Sequence, residues 1–237
     1  MFVTIRPKKL LTFLIIALIS FFITFGFYKT VKANTTPKFD YTIVIDAGHG
    51  GRDAGCSGVN TDVKESDLNL AISKKLQKYL VDFGFNVVMT RETQNGLYSD
   101  NVSNFKKDDM AKREKIINSC NADMLISIHL NSYSSAEERG AQAFFEESNE
   151  NSIKLSNSIQ TQLINNLPSA RKSANSGDYY ILKTSEIPCS LVECGFLSNP
   201  EEEELLITDN YQSKVAYAIF CGIIDYINCE SNILDTE

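Results

Sequence analysis

Apolar residues follow two periodicities along the chain. Short apolar runs predict strands, at "YTIVIDA" (41–47), "FNVVMT" (85–90), "ADMLISIHL" (122–130), "GAQAFFEE" (140–147) and "CSLVEC" (189–194). Helical spacing predicts helices over 66–83, 110–120, 152–167 and 210–228, with a short helix after Asn199-Pro200. This β-α-β-α-β order predicts an α/β fold: a single domain with a twisted, mostly parallel sheet of about six strands, flanked by helices on both faces.

The predicted helices also have predicted ends and faces. Ser66 or Asp67 is suited to cap the first helix and Gly84 to end it. The helix over 152–167 has a predicted inner face of Ile153, Ile159, Leu163 and Ile164. The polar, irregular segment between Arg91 and Lys107 predicts a long exposed loop that could flank a substrate groove.

The N-terminal segment is strongly apolar. Leu10 to Tyr28 is 19 residues without a charge, with basic residues on both sides. Because it is terminal and apolar on every face, it predicts a membrane-targeting segment rather than a buried core helix. Cleavage after Ala33 as a signal peptide and retention as an uncleaved membrane anchor both stay open. Either way, we expect an exported protein, secreted or membrane-anchored at the cell envelope.

The rest of the chain predicts one domain. We assign residues 1–33 to the leader, 34–40 to a linker, 41–228 to the folded domain and 229–237 to a C-terminal tail. Beyond residue 33 there are 18 basic and 30 acidic residues, a formal charge of −12. Nucleic acid is therefore excluded as a partner, and an anionic wall polymer requires a specific groove.

The six cysteines show no C-x-x-C pair, so a structural zinc site built on cysteines is not expected. Export makes disulfides chemically possible. However, a domain of this length does not need them, and several of the cysteines lie in apolar segments. We therefore expect free thiols.

The chain has only two histidines, His49 and His129, and each ends an apolar run. The carboxyl ends of parallel strands meet at one edge of a sheet, so the two imidazoles are predicted to share a site. The alternative for each is a buried structural histidine. A catalytic zinc needs a third nitrogen or oxygen ligand, and Glu65, just before the first predicted helix, is the best candidate. An ordinary glutamate favoured by the helix dipole is the alternative for Glu65.

Glu193 ends the otherwise apolar strand "CSLVEC". Burial there would raise its proton affinity, which suits a general base, whereas a solvated carboxylate or an arginine partner is the alternative.

The sequence disfavours two other kinds of site, a phosphate-binding loop and a serine or cysteine nucleophile. "GHGGRDAG" lacks the spacing of a phosphate-binding loop, and no serine or cysteine lies in a G-x-S-x-G elbow.

Six blocks of the sequence carry a resemblance to a known family. They are "TIVIDAGHGGRDAG", "KESDLNLAISKKL", "VVMTRET", "AKREKIINSCNADMLISIHLNS", "GAQAFFEE" and "IPCSLVECGFLSNPEEEELL". In this order they resemble the zinc-dependent N-acetylmuramoyl-L-alanine amidases of the amidase 3 type, from Tyr41 to Tyr226. Ala47, where the family commonly has proline, and Cys194, where small residues are frequent, are mild departures.

The resemblance implies roles for individual residues. His49, Glu65 and His129 bind Zn²⁺, and Glu193 is the catalytic glutamate. Arg91 and Arg113 are implied to orient the site, for instance through salt bridges.

The resemblance also implies a reaction, hydrolysis of the amide between the lactyl group of N-acetylmuramic acid and L-alanine in peptidoglycan, and an activator protein as a possible further partner. The short layout is similar to the germination-specific type, which acts on the spore cortex. A catalytically silent wall-binding scaffold and another zinc peptidase of the wall stay open as alternatives.

Overall fold

The computed structural model describes Leu11, residues 14–25 and residues 39–234, with side chains up to residue 230. The chain forms two compact units, Met1–Lys38 and Phe39–Glu237. In the first unit, residues 14–25 are helical and exposed. Across the described residues, no helix is both long enough and apolar enough to cross a membrane. The rest of the predicted leader and most of the predicted linker lie outside the described residues.

The second unit alternates strands and helices. The elements are β1 Thr42–Ala47, α1 Glu65–Phe83, β2 Asn86–Met89, α2 Phe105–Ser119, β3 Met124–Asn131, β4 Gln142–Phe145, α3 Glu150–Asn166, β5 Asn175–Ser176, a 3₁₀ turn Tyr180–Lys183, β6 Cys189–Phe196, α4 Pro200–Leu206 and α5 Asp209–Leu234. The described strands form one six-stranded sheet in the order β2-β1-β3-β6-β4-β5. All neighbours are parallel except β4 and β6. The predicted fold class is confirmed.

Alternate residues of the central strands face two different apolar layers. Ile45, Ile126 and Val192 lie in the larger layer, with buried residues of α1, α3 and α5. Val44, Leu125 and Leu191 lie in the smaller layer, with residues of α2 and the 3₁₀ turn. Helices therefore cover both faces of the sheet, as a mostly parallel sheet requires.

The loop before α1 replaces the side-chain cap that the sequence predicts. The helix begins at Glu65, and neither Ser66 nor Asp67 caps it, since Lys64 is the N-cap without a side-chain hydrogen bond. The amides of Glu65 and Ser66 donate instead to the carbonyls of Cys56 and Ala54. These loop carbonyls satisfy the free amides of the first turn, so no capping side chain is needed. At the other end, Gly84 has a left-handed φ of 117°, as predicted.

Other boundaries and faces differ from the predictions for local reasons. Helix α2 begins at Phe105, five residues before the predicted start, because the Asn104 side chain accepts a hydrogen bond from the Lys107 amide. In α3, Ile164 is 45% exposed and Leu155 is fully buried, so the predicted inner face is wrong at Ile164.

Candidate active site

The loop after β1 brings its backbone unusually close to β3. A Cβ atom added to Gly48 would lie 2.3 Å from the imidazole of His129, so only glycine fits there. The next residue, His49, has a φ of 61°, in the left-handed region that costs a non-glycine residue energy. This conformation belongs to a loop held by many side chains. It places His49 and His129 with ring centroids 4.9 Å apart.

Glu65 lies between the two histidines. Its Oε1 atom is 3.1 Å from His49 Nε2 and 3.0 Å from His129 Nδ1. Within the part of the chain that the structure describes, these three residues form the one group suited to a metal ion, with potential ligand atoms within 4.8 Å of one another. The structure thus brings together the three residues that the sequence predicts as metal ligands.

The three side chains fit a zinc ion by donor type and spacing. Two imidazole nitrogens and one carboxylate oxygen are a ligand set found in catalytic zinc sites. Tetrahedral ligands at zinc distances stand about 3.3 Å apart, close to the two nitrogen–oxygen distances at Glu65. The donor types and the two nitrogen–oxygen distances therefore fit a zinc ion at this group.

Hydrogen bonds fix the Glu65 carboxylate. The Leu130 amide and the Asn69 side chain donate to Oε1, each at 3.2 Å, and the Cys56 amide donates to Oε2 at 2.9 Å. Burial opposes ionisation, but the hydrogen bonds to His129 and the other imidazole outweigh it and lower the pKa of Glu65 well below its ordinary value. The residue is thus an ionised carboxylate, as a metal ligand must be.

Asp53 is a site residue that the sequence reasoning missed. Its Oδ2 atom is 2.8 Å from His49 Nδ1, and its Oδ1 atom is 3.0 Å from Lys106 Nζ. A carboxylate on Nδ1 fixes the tautomer in which Nε2 is free to bind a metal. Burial opposes protonation, but hydrogen bonds to Glu65 and Asp53 raise the pKa of His49. The available signal was an aspartate four residues after a histidine in one glycine-rich loop.

Glu193 lies on β6 in register with His129 on β3. It is 7% exposed, and its Oε2 atom has no hydrogen-bond partner among the described residues. Burial raises the pKa of Glu193 to about 7, with His129, Glu65 and His49 as the nearby charges. A hydrogen bond from Tyr179 acts in the opposite direction. Tyr179 was also missed, because no local pattern connects it to Glu193.

Two arginines bind the backbone of the loop after β1. Arg91 donates at 2.8 Å to the carbonyls of Ala47 and Gly48. Arg113 donates to the carbonyls of Ala47 at 2.8 Å and His49 at 2.5 Å. Both side chains are buried. Each arginine therefore holds the segment that carries His49, and neither contacts the potential ligand atoms.

The carboxylate partners of the two arginines differ. Arg113 forms ion pairs with Asp46 at 2.6 Å and Asp109 at 2.5 Å, the kind of salt bridge that the family resemblance implies for these arginines. Arg91 instead donates its hydrogen bonds to carbonyls, including that of Ser66. Cys194, next to Glu193, is fully buried, and burial raises the pKa of its thiol. All six cysteines lie in the described residues and are free thiols.

The chain is similar to known proteins over most of its length. A sequence model of the N-acetylmuramoyl-L-alanine amidase family, amidase 3 type, matches residues 43–225. The chain belongs to this amidase family. The germination-specific N-acetylmuramoyl-L-alanine amidase of Bacillus subtilis (strain 168) is 36% identical to it over 228 residues, which cover 93% of this chain and 95% of that protein.

Solved structures of the amidase family are similar as well. The CwlD amidase from Clostridioides difficile, solved in complex with the GerS lipoprotein, is 37% identical with a TM-score of 0.77, covering 80% of this chain and all of that chain. An N-acetylmuramoyl-L-alanine amidase from Clostridium difficile 630 is 30% identical with a TM-score of 0.71, covering 79% of this chain and 97% of that chain. These similarities confirm the family and the enzyme class that the sequence predicted.

Proposed function

We propose that this protein is a zinc-dependent amidase that hydrolyses the bond between the lactyl group of N-acetylmuramic acid and L-alanine in peptidoglycan. His49, Glu65 and His129 would hold the zinc ion, and Glu193 is the base. One observation carries the proposal. Two imidazole nitrogens converge on one Glu65 oxygen at 3.0 and 3.1 Å, and a buried Glu193 carboxylate with an unpartnered oxygen lies on the adjoining strand.

The residues divide the chemistry between them. A zinc ion held by His49, Glu65 and His129 would supply Lewis acidity to the scissile carbonyl and to a bound water molecule. Glu193 removes a proton from the attacking water molecule as the oxygen of that water bonds to the carbonyl carbon. Glu193 then returns this proton to the alanine nitrogen as the carbon–nitrogen bond breaks. The carboxylate is regenerated, so no covalent intermediate with the enzyme is needed.

The biological setting follows from the same family relation. We place the activity in the spore cortex, because a germination-specific amidase is 36% identical over nearly its whole length. A CwlD amidase has been solved with a lipoprotein, which supports a protein partner here as well. The apolar segment from Leu10 to Tyr28 supports export. We propose residues 41–228 as the catalytic domain, although helix α5 continues to Leu234, six residues past the predicted end of the helix and into the predicted tail.

Digestion of purified cortex and vegetative peptidoglycan tests the reaction. The full chain, loaded with zinc, is expected to release stem peptides that begin with a free L-alanine amine, identified by mass spectrometry. Faster release from cortex than from vegetative wall supports the cortex assignment, and equal or slower release contradicts it. New amines only within the stem would instead identify a peptidase, and no product at all contradicts an amidase that acts alone.

Replacement of Glu193 by Gln tests the base. We expect turnover to fall about 10²–10⁴-fold, because the amide cannot accept a proton. Zinc content, measured by mass spectrometry of the metal, stays the same, since Glu193 is not a ligand. The control Glu147→Gln removes an exposed carboxylate elsewhere and leaves turnover unchanged. If Glu193→Gln retains normal turnover, another group is the base.

A further inference from the structure

A cavity opens directly beside the two histidines. It has a volume of about 290 Å³ and reaches from His49 and His129 down between α2 and the 3₁₀ turn. Its apolar wall is formed by Met110, Ile181 and Leu191. A water molecule takes up about 30 Å³ of liquid, so the space equals roughly ten waters. An alanine methyl group would leave it almost empty, whereas a sugar ring with its substituents would fill it.

The charged residues in this cavity already have partners. Lys106 Nζ is 3.0 Å from Asp53 Oδ1, and Arg113 is paired with Asp46 at 2.6 Å and Asp109 at 2.5 Å. The cavity lining thus has three carboxylates against two cations and offers no free cation to an anionic ligand. A stem peptide carries free carboxylates, and its burial here would cost energy. An N-acetylmuramoyl group is uncharged once its lactyl carboxyl is tied up in the amide.

The strand order supports the same assignment, because it sets which half of the substrate lies on which side of the scissile bond. A base that protonates the leaving amine must lie on the amine side of the scissile bond. Glu193 is on β6, whereas the ligand histidines come from β3 and from the loop after β1, the next strands in the sheet. With the amine next to Glu193, the acyl half of the substrate extends towards β1 and α2. His49, Asp53 and Lys106 line that part of the cavity, and Leu191 of β6 and Tyr179 line the part next to Glu193.

We propose that this cavity is the binding site for the N-acetylmuramoyl half of the substrate. The inference rests on the proposed function, because it takes the scissile amide to lie at the His49–Glu65–His129 group. Aromatic rings complete the recognition: Tyr179 and Tyr180 line the cavity mouth and present apolar faces with polar tips to a sugar. The stem peptide occupies the opposite side, towards β4.

Methionine methyl groups provide a direct test by NMR. The chain has four methionines, and Met110 lies in the cavity wall, whereas Met89 and Met124 are buried on the opposite face of the sheet. In the zinc-loaded full chain with labelled methionine methyls, the lactyl amide of N-acetylmuramic acid, which is uncharged like the acyl half of the substrate, is expected to shift the Met110 signal in a saturable manner. The signals of Met89 and Met124 should stay fixed. D-lactate and L-alanyl-D-isoglutamine should leave all three fixed.

A matched pair of variants tests the same site by calorimetry. Met110→Trp fills the cavity and is expected to weaken binding of the lactyl amide of N-acetylmuramic acid about tenfold or more, with zinc affinity unchanged. Ala111→Trp adds the same side chain on the exposed face of α2 and should leave both affinities unchanged.

Several outcomes overturn the cavity assignment. One is a Met110 shift caused by the dipeptide and not by the sugar, which would make the cavity the stem site. Another is binding of the lactyl amide of N-acetylmuramic acid that neither shifts the Met110 signal nor weakens in Met110→Trp. Failure of the proposed function is seen separately, as the absence of L-alanyl peptides when the zinc-loaded wild type digests peptidoglycan.

Discussion

His49 shows how much a single residue depends on its neighbours. Its backbone is in the left-handed region, with a φ of 61°, and its carbonyl accepts a hydrogen bond from Arg113. One ring nitrogen is held by Asp53 and the other points to Glu65. Every degree of freedom of the imidazole is therefore restricted before a metal binds, which lowers the entropic cost of coordination.

Asp53 is predicted to control metal affinity through His49. Asp53→Ala should weaken zinc binding about 10–100-fold, because the imidazole loses the carboxylate that fixes its tautomer and orientation. Asp53→Asn should weaken it less, since an amide oxygen can still accept the hydrogen bond. Chelator competition measures the dissociation constant. The control Asp82→Asn, an exposed carboxylate on α1, should change nothing, and normal zinc affinity in Asp53→Ala would rule out this role.

Tyr179 is predicted to set the pH range of activity. Burial raises the pKa of Glu193 to about 7, and the Tyr179 hydrogen bond lowers it. The base works as a carboxylate, so activity falls as pH drops through this pKa. A bound divalent cation would lower it further, placing the acidic limb between the ordinary glutamate value and about 7.

In Tyr179→Phe the hydrogen bond that lowers the pKa of Glu193 is lost, so the acidic limb of kcat/KM should move to higher pH. Profiles of rate against pH for the two proteins measure the shift. Tyr180→Phe is the matched control, because the Tyr180 hydroxyl bonds to Glu114 rather than to Glu193. A limb that stays in place, or moves to lower pH, in Tyr179→Phe would contradict the assignment.

Among the elements, the loop between β1 and α1 is the one that the rest of the fold must hold in place. It carries His49 and Asp53, and residues from outside it bind its backbone: Arg91, which follows β2, and Arg113 from α2. Helix α1 contributes Glu65 in its first turn. Because glycines occupy positions 48, 50 and 51 around His49, the backbone there has wide conformational freedom and depends on hydrogen bonds from these other elements.

Arg113 is therefore predicted to stabilise the whole domain. Arg113→Met should lower the free energy of unfolding by about 3–5 kcal/mol, because Asp46 is left as a buried charge without its partner. Lys112→Met, which breaks the exposed pair with Asp108 on the same helix, should cost less than about 1 kcal/mol. Denaturant unfolding of the metal-free proteins gives both values. Similar losses of unfolding free energy in the two variants would show that the buried ion pair stabilises the domain no more than the exposed one.

For the whole molecule, the site joins four separate parts of the chain. The loop after β1, the start of α1, and strands β3 and β6 each contribute one of the proposed functional residues: His49, Glu65, His129 and Glu193. These positions lie within a stretch of 145 residues, from 49 to 193, and meet at one sheet edge. A ligand bound by several elements at once stabilises the folded state, because it has little affinity for the unfolded chain.

Zinc is accordingly predicted to raise the melting temperature. At 100 times the dissociation constant the gain is about 2.7 kcal/mol. For a domain of this size that corresponds to roughly 5–11 °C. Calorimetric scans with zinc and with chelator measure the difference, and His129→Ala should remove it. An unchanged melting temperature on adding zinc to the wild type would contradict the metal site.

The sequence predicted most elements and missed specific packing partners. Periodicity located the strands and helices, since spacings of 2 and 3.6 residues are local properties of the chain. It assigned Ile164 to the inner face of α3, and the structure buries Leu155 there instead, because the direction of contact is set by α5 and the sheet. Periodicity placed the start of α2 too late, because the Asn104 cap lies in a polar segment that is typical of a loop.

The sequence by itself determined the family, the fold class and four chemically capable residues, because parallel strands carry their end residues to one edge wherever the helices pack. Only the tertiary structure decided how those side chains are arranged in space, which partners they have and how far they are buried. The convergence of both imidazoles on Glu65, the Asp53 carboxylate behind His49, and the burial of Glu193 all arise from contacts between distant segments. A pKa and a ligand geometry depend on such non-local neighbours, which no local pattern of residues encodes.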